Sequence, residues 1–423
     1  MSGGARTFEA VTCLGCGCSC DDIGITVTDG RITNSERACR MGQQWFGDGS
    51  TPALARVAGQ TADRHQATVE AGRRLASAGA LGRAMVYLAA DLSSDGQRAA
   101  VALADRLGAR IDNLSSDTVS QGILAVQRRG RAGATMGELR HRADVVVFWG
   151  VDPTERYPRF AERCVPDAPG LDIPKGRGGR RVIAVDVASS RGPVDADDRV
   201  TIAAADELAA LSLLRAAVGG RAPGAPNALA VAMRELAGEL SKARYCAVIY
   251  DAEPGPVPAD PRRTEALIAL TQALNTPTRA TLCALRAGGN RQGSEQVLTW
   301  QTGYPMAVDF QGGVPRYQPL RSCGALLEAG ALDCLLVLGD FRSLPAAVSS
   351  RLGKVQLIVI GPNASGLAPS DAIAIDTGRA GIHEGGTAFR LDDVPLPLTA
   401  ILPGPVTTAQ VLAELTAATT VAQ

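Results

Sequence analysis

The stretches ADVVVFWGVD, residues 143–152, and LDCLLVLGD, residues 332–340, decide the fold. Each sets an aspartate before a continuous apolar run, then glycine and a second aspartate within two residues. A strand with one wet face alternates polar and apolar residues. A strand that stays apolar throughout is buried on both faces, as in parallel sheets covered by helices. Working outward, Ala84–Ala90, Arg181–Val187 and the shorter Arg199–Ile202 read as further strands, as do Val355–Ile360 and Ala372–Asp376. Helical spacing occurs at Ala67–Ser77, at Gly96–Leu107 and around Leu344–Leu352. The pattern implies an α/β protein with two Rossmann-like parallel-sheet modules. Each presents a Gly-Asp or Gly-x-Asp turn at a strand's carboxyl end, where open α/β sheets take their ligands.

Ahead of these modules stands CLGCGCSC, residues 13–20, with Cys39 further on. Between them, Ile25–Thr28, Asp29-Gly30 and Arg31–Thr33 read as a hairpin on a type I′ turn, which returns the chain towards Cys20. At this spacing Cys13, Cys16, Cys20 and Cys39 can each reach one corner of a cubic iron–sulfur cluster. Four thiolates also suit a zinc ion, and an empty, vestigial pocket is the third outcome. Cys18 is left over, and Cys164, Cys246, Cys283, Cys323 and Cys334 are scattered and read as buried thiols. Residues 1–50 are therefore expected to form a small cysteine-rich β domain. Residues 51–115 with 276–423 would make a discontinuous first module, and 116–275 the second. The Pro/Gly-rich runs Gly219–Asn227 and Glu253–Pro261 read as surface loops.

Composition excludes several classes. Forty-three basic residues balance 43 acidic ones, so nothing favours nucleic acid or a membrane surface electrostatically. No apolar run is long enough to cross a bilayer, the first residues carry no signal core, and a cytoplasmic protein is expected. There is no HExxH, GxSxG or Walker-type loop. Among three histidines, His65 and His141 read as surface residues and His383, beside Glu384, as part of a packed loop. The basic stretch Lys175–Arg181 reads as a solvated loop. Its alternative is an anion-binding patch of Lys175, Arg177, Arg180 and Arg181.

Five segments stand in one order: CLGCGCSCDDIGI (13–25), ACRMG (38–42), IDNLSS (111–116), ADVVVFWGVDPTERYPRF (143–160) and GIHEGGTAFRLDDVPLPL (381–398). With them, the chain resembles the B subunit of formylmethanofuran dehydrogenase, a molybdopterin oxidoreductase, and the similar B subunit of the bacterial formyltransferase/hydrolase complex. The resemblance implies a molybdopterin-oxidoreductase-like fold. In the dehydrogenases a [4Fe–4S] cluster serves molybdenum or tungsten held by two pterin guanine dinucleotides. The family's ligand, the cysteine of a Cys-His-Gly-Pro-Ser stretch, falls on Thr118, and its proton-transfer histidine on Val119. By the same resemblance Gly150, Asp152, Asp186, Gly339, Asp340 and Gly361 fall where guanine and diphosphate contacts would lie. A threonine hydroxyl cannot replace a soft thiolate. The expectation is thus a non-catalytic, structural subunit without molybdopterin, in which Cys13, Cys16, Cys20 and Cys39 either hold a [4Fe–4S] cluster or stand empty. Its partners would be the hydrolase, the transferase and the other subunits of that complex, with the polyanionic tail of a furan carrier as a further contact. The rival readings are an active molybdenum or tungsten dehydrogenase subunit and a cluster-bearing electron-transfer subunit.

Overall fold

The computed structural model describes residues 4–221, 227–255 and 260–421. Parts of the two expected surface loops, 222–226 and 256–259, lie outside the described residues. The chain forms two units, Met1–Thr118 with Gly288–Gln423, and Val119–Ala287.

Unit 1 opens with an antiparallel sheet of β1 (Arg6–Val11), β2 (Ile23–Thr28) and β3 (Arg31–Glu36). At the β2–β3 turn Asp29 has φ 49° and Gly30 φ 75°, the two positive values a type I′ turn requires. Next come β4 (Ala55–Val57), β5 (Gln60–Ala62), β6 (Ala84–Leu88) and β7 (Arg110–Asn113). The helix Arg64–Ala80 starts at Asp63, whose carboxylate accepts from the His65 and Gln66 amides. The helix Ser94–Leu107 starts at Ser93 and stops at Gly108, which turns left-handed at φ 59°.

Unit 2 holds β8 (Val145–Trp149), β9 (Arg181–Val187), β10 (Asp198–Ile202), β11 (Cys246–Asp251) and β12 (Ala280–Leu285). Its sheet is wholly parallel, in the order β10-β9-β8-β11-β12. The chain then returns to unit 1 with β13 (Val308–Asp309), β14 (Arg316–Tyr317), β15 (Cys334–Leu338), β16 (Gln356–Gly361) and β17 (Ile373–Asp376). A separate hairpin follows, β18 (Gly386–Phe389) and β19 (Pro395–Leu398). The large sheet runs β14-β13-β7-β6-β15-β16-β17-β4-β5, with a parallel centre from β7 to β17 and antiparallel strands at both edges.

The apolar runs are buried on both faces, as their composition required. In β15, Cys334, Leu336 and Leu338 pack with the helices Arg64–Ala80 and Ser94–Leu107. Leu335 and Val337 pack on the opposite face with Leu326 and Val348. The two modules share a layout but not a topology: unit 2 follows the order 3-2-1-4-5, and the parallel centre of unit 1 follows 2-1-3-4-5. Strand order reverses between β8 and β11 in one and between β6 and β15 in the other, which puts a switch point at the carboxyl ends of each pair.

Two expectations need correction. β12 hydrogen-bonds to β11 inside unit 2, so the return to unit 1 falls after Ala287 rather than at residue 276, and the excursion begins after Thr118. The helix expected around Leu344–Leu352 shrinks to the four residues Ala346–Ser349. Pro345 holds Leu344 extended (ψ 132°), so no helix can enter from upstream.

Candidate functional site

The cysteine loop is closed on itself. Cys13 N donates to Cys20 O at 2.8 Å and Ser19 N to Cys16 O at 3.1 Å. Cys39 stands at the N-cap of the helix Arg40–Phe46. A Cβ on Gly42, in that helix, would lie 3.4 Å from Cys13 Sγ, and one on Gly15 would lie 2.8 Å from Met41 O. The β2–β3 hairpin thus delivers Cys39 to the loop. Burial pushes the Cys13 thiol well up, and the neighbouring Cys16, Cys20 and Cys39 add to the rise. Among the described residues no three His, Cys, Asp or Glu side chains are arranged to hold one metal ion directly. Cys16, Cys20 and Cys39 nevertheless each lie near enough to Cys13 to act on its charge, a donor set suited to a group that spans separate sulfurs, and Cys13 Sγ accepts from the Gly15 amide at 3.3 Å. A [4Fe–4S] cluster fits this set chemically. Cys13, Cys16, Cys20 and Cys39 would hold it, and when bound it exchanges single electrons.

This loop seats on the strand-to-helix segment of residues 288–290. Gly289 N donates to Leu14 O at 2.8 Å, and a Cβ on Gly288 would stand 2.7 Å from Gly15 O. Leu391 N reaches Gly17 O, and Thr12 Oγ1 reaches Pro397 O at 2.8 Å. Asn290 then fixes the start of the helix Arg291–Thr302. Its Nδ2 donates to Leu92 O at 3.0 Å and its Oδ1 accepts from Phe389 N at 2.7 Å.

The next residue, Arg291, is buried, and its Nη2 donates to Thr118 Oγ1 at 2.6 Å. Thr118 Oγ1 in turn donates to Leu114 O at 2.9 Å, at the end of the helix Leu114–Thr118. The hydroxyl at the position assigned to the metal ligand is therefore engaged on both sides, and beside it is a cation. Val119, where a proton-transfer histidine would stand, is a buried aliphatic side chain. A hard, neutral, doubly hydrogen-bonded oxygen does not fit a tungsten or molybdenum ligand.

Beneath residue 118, Asp112 leaves the end of β7 fully buried. It accepts from the amides of Asn113 (2.9 Å), Ala307 (2.9 Å) and Cys323 (3.1 Å) and from Ser116 Oγ (2.5 Å). Burial, and then the charge of Asp117, raise its carboxyl to about 7. Tyr87 donates to Asp117 at 2.9 Å, and Ser115 to the buried Glu295 at 2.5 Å.

The carboxyl ends of the parallel strands hold the other expected positions. In unit 1, Gly339 has φ 101°, and a Cβ on Gly361 would meet Gly339 O at 2.2 Å. Asp340 N donates to Asp91 Oδ1 at 2.5 Å, while the Asp340 carboxylate accepts from the Arg342 amide and guanidinium. Asp91 is buried, which raises its carboxyl to about 6, with Asp340 adding to the effect. Nearby, burial lifts Glu384 to about 7 although it accepts from Thr408 N at 2.6 Å. In unit 2, Gly150 turns at φ 59° with its N donating to Val185 O, and Arg263 Nη2 lies 3.0 Å from where a Cβ would be. Burial alone would raise Asp186, but the Gly192 amide, Arg199 and Arg191 outweigh it and hold the carboxyl low. Asp152 accepts from Thr154 N and Oγ1 in its own turn. The structure thus groups Gly339, Asp340 and Gly361, sets Gly150 and Asp186 on adjacent strands, and ties each aspartate to local partners.

The anion-binding alternative for residues 175–181 is corrected. Arg180 is buried and donates to the carbonyls of Arg140, Ala143, Pro166 and Ala168 at 2.6–3.0 Å. Arg177 pairs with Asp197 and Arg181 with Asp198, so three of the four cations serve local acceptors. His141 is half-buried rather than on the surface: its Nδ1 accepts from Leu171 N at 3.1 Å. His383 is locked as a neutral ring. Arg379 N donates to its Nδ1, so Nε2 carries the proton and donates to Gly49 O at 2.8 Å. Arg291, Asp112 and Asp91 were missed from sequence, and Glu384 was read only as a neighbour of His383. Their only signals were the Gly288-Gly289-Asn290 run, which marks a close backbone approach, and the Asp/Asn/Ser cluster at 112–116, which marks a turn.

The fold and the cysteine loop define a class, subunits built from two parallel-sheet α/β modules behind a small cysteine-bearing β sheet. No family model matches the chain. The B subunit of the tungsten-containing formylmethanofuran dehydrogenase 2 of Methanocaldococcus jannaschii is 30% identical over 417 residues, 95% of each chain. The B subunit of the formyltransferase/hydrolase complex Fhc of Methylorubrum extorquens is 30% identical over 277 residues, 64% of this chain and 71% of that one. The crystal structure of FhcABCD from Methylorubrum extorquens with methylofuran contains a chain that matches with TM-score 0.69 and 27% identity, covering 86% of this chain and 98% of its own. The chain belongs to the family of formylmethanofuran dehydrogenase B subunits; it is similar in sequence to the B subunit of Fhc and in structure to a chain of the FhcABCD complex. Among the described residues no helix is long and apolar enough to cross a membrane.

Proposed function

We propose that this chain is a structural, non-catalytic subunit of a formyltransferase/hydrolase complex. Such a complex moves a formyl group from tetrahydromethanopterin to a methanofuran-type carrier and releases it as formate. One observation supports the reading: Thr118 Oγ1, at the position that the resemblance assigns to the metal ligand, is hydrogen-bonded to Arg291 at 2.6 Å and to Leu114 O at 2.9 Å. Hydrolysis transfers no electrons, so a subunit in that assembly can lose the ligand without losing the reaction. The positions Gly150, Asp152 and Asp186 in unit 2, and Gly339, Asp340 and Gly361 in unit 1, are then remnants of pterin-nucleotide contacts, and their aspartates now bind local partners. Partners are the hydrolase, transferase and remaining subunits, in the cytoplasm. With the Arg177, Arg180 and Arg181 side chains held by local acceptors, Lys175 is the one cation of that stretch left to support a contact with the carrier's polyanionic tail.

The test is metal and pterin content of the native assembly. Molybdenum and tungsten below stoichiometry, with no pterin released on denaturation, is the expected result. Stoichiometric metal with pterin, and dye reduction by a formyl substrate, would overturn it. The rival reading, an active dehydrogenase subunit, draws its support from the even 95% coverage of the tungsten enzyme's subunit and from the clustering of Cys13 with Cys16, Cys20 and Cys39.

A further inference from the structure

The edge of the unit 2 sheet carries an open groove of about 630 Å³ between β10 and the helix Ala228–Ser241. β10 has β9 on one side and, among the described residues, no strand on the other. Proteins commonly blunt such an edge with a proline, a bulge or an inward lysine. β10 does none of these, and all five of its residues pair in unbroken register with β9. Its one cation, Arg199, is drawn to Asp186 Oδ1 at 2.6 Å. The groove's apolar lining includes Val200 from the strand and Leu229, Ala232 and Leu236 from the helix. Its charged rim is acidic: Asp198, Asp206, Glu235 and Glu239. Arg181 lies against Asp198 and Glu239, whereas Asp206 and Glu235 are exposed and make no ion pair among the described residues.

We propose that this groove receives an extended, basic segment of a partner subunit, which adds to β10 as a sixth strand. Main-chain hydrogen bonds would supply affinity, apolar side chains on one face would fill the floor, and lysines on the other would meet Asp206 and Glu235. The paired length of β10 offers roughly 16 Å of edge for five residues. A small ligand suits the groove less well, because none of its polar lining residues is buried. The inference rests on the reading that this chain works inside a multi-subunit assembly.

Zero-length carbodiimide cross-linking of the purified assembly, read by mass spectrometry, is expected to join Asp206 or Glu235 to lysines of one partner segment. The double variant Asp206→Lys with Glu235→Lys should lose those links and be held in the assembly at least about tenfold less tightly at low salt. Ala232→Trp, which fills the floor without changing charge, should weaken retention while leaving the melting temperature of the isolated chain unchanged. An intact assembly that shows no such link and retains both variants fully overturns the groove proposal alone, as do links to a second copy of this chain. A chain that purifies with no partner overturns the assembly reading and the groove together.

Discussion

Asp112 makes the segment that carries residue 118 sensitive to pH, and the effect can be worked out from its surroundings. Its carboxyl rises from 3.8 to about 7 because it is buried beside Asp117. A raised acid binds its proton more tightly folded than unfolded, so the stability it contributes is fully present below the unfolded value and falls as pH rises to about 7. From pH 5 to pH 8 the loss is about 3 kcal/mol at most, two units at about 1.4 kcal/mol each. The protonated form has a place to donate: Ser116 Oγ also lies 3.1 Å from Asn113 O, so its own hydrogen can turn there. Asp112→Asn removes the titration. It also sets an amide NH₂ against the Cys323 amide, at a cost of roughly 1–3 kcal/mol for the orphaned donor. The advantage of the wild type over this variant should therefore shrink by about 3 kcal/mol between pH 5 and pH 8. Asp91 and Glu384 move in the same direction and the lowered His383 in the opposite one, but all three are common to both proteins and cancel. Urea melts followed by tryptophan fluorescence in a Trp149→Phe background read unit 1 alone, because the other two tryptophans, Trp45 and Trp300, both lie there. A gap that stays constant, or widens towards pH 8, would refute the reasoning.

Arg180→Met leaves four carbonyls without their shared donor and should lower the stability of unit 2 by about 3–5 kcal/mol, whereas Arg181→Gln should change it by less than about 1 kcal/mol, both read in urea melts that follow Trp149 in a Trp45→Phe, Trp300→Phe background. Cys13→Ser or Cys20→Ser should abolish bound iron and acid-labile sulfide, and Cys18→Ser should leave both intact; equal loss in all three would contradict the quartet. Thr118→Cys puts a thiol where Arg291 donates, so its alkylation rate by iodoacetamide should reach half-maximum below the usual thiol value of about 8.5. Adding Arg291→Met should move that midpoint back up.

Local features were legible. The β-branched, largely apolar segment RVIAVDV marked β9 from Arg181 to Val187 residue for residue, and Asp29-Gly30 announced its turn because only a few residue types accept two positive φ values. Strand order was not legible: the same strand–helix–strand grammar yields 3-2-1-4-5 or 2-1-3-4-5, depending on the side to which each crossover goes. The return to unit 1 was misplaced because ATLCAL at 280–285 is merely apolar, and nothing in it says which sheet it joins. Arg180 looked solvated because a basic Gly-rich loop usually is, while the four carbonyls that bury it come from positions up to 40 residues away. The site hid its key contact for the same reason, since Arg291 and Thr118 are 173 residues apart.

The interrupted path of unit 1 sets a timetable for the newborn chain. Every strand of unit 2 lies between residues 145 and 285, so that sheet can close while the chain is still leaving the ribosome. β6 must wait for β15, whose first residue, Cys334, pairs with Ala84. At ordinary synthesis speeds that wait is roughly 10–50 s. Throughout it, one flank of an entirely apolar strand has no mate, and a polypeptide cut short before Cys334 would keep that flank open for good.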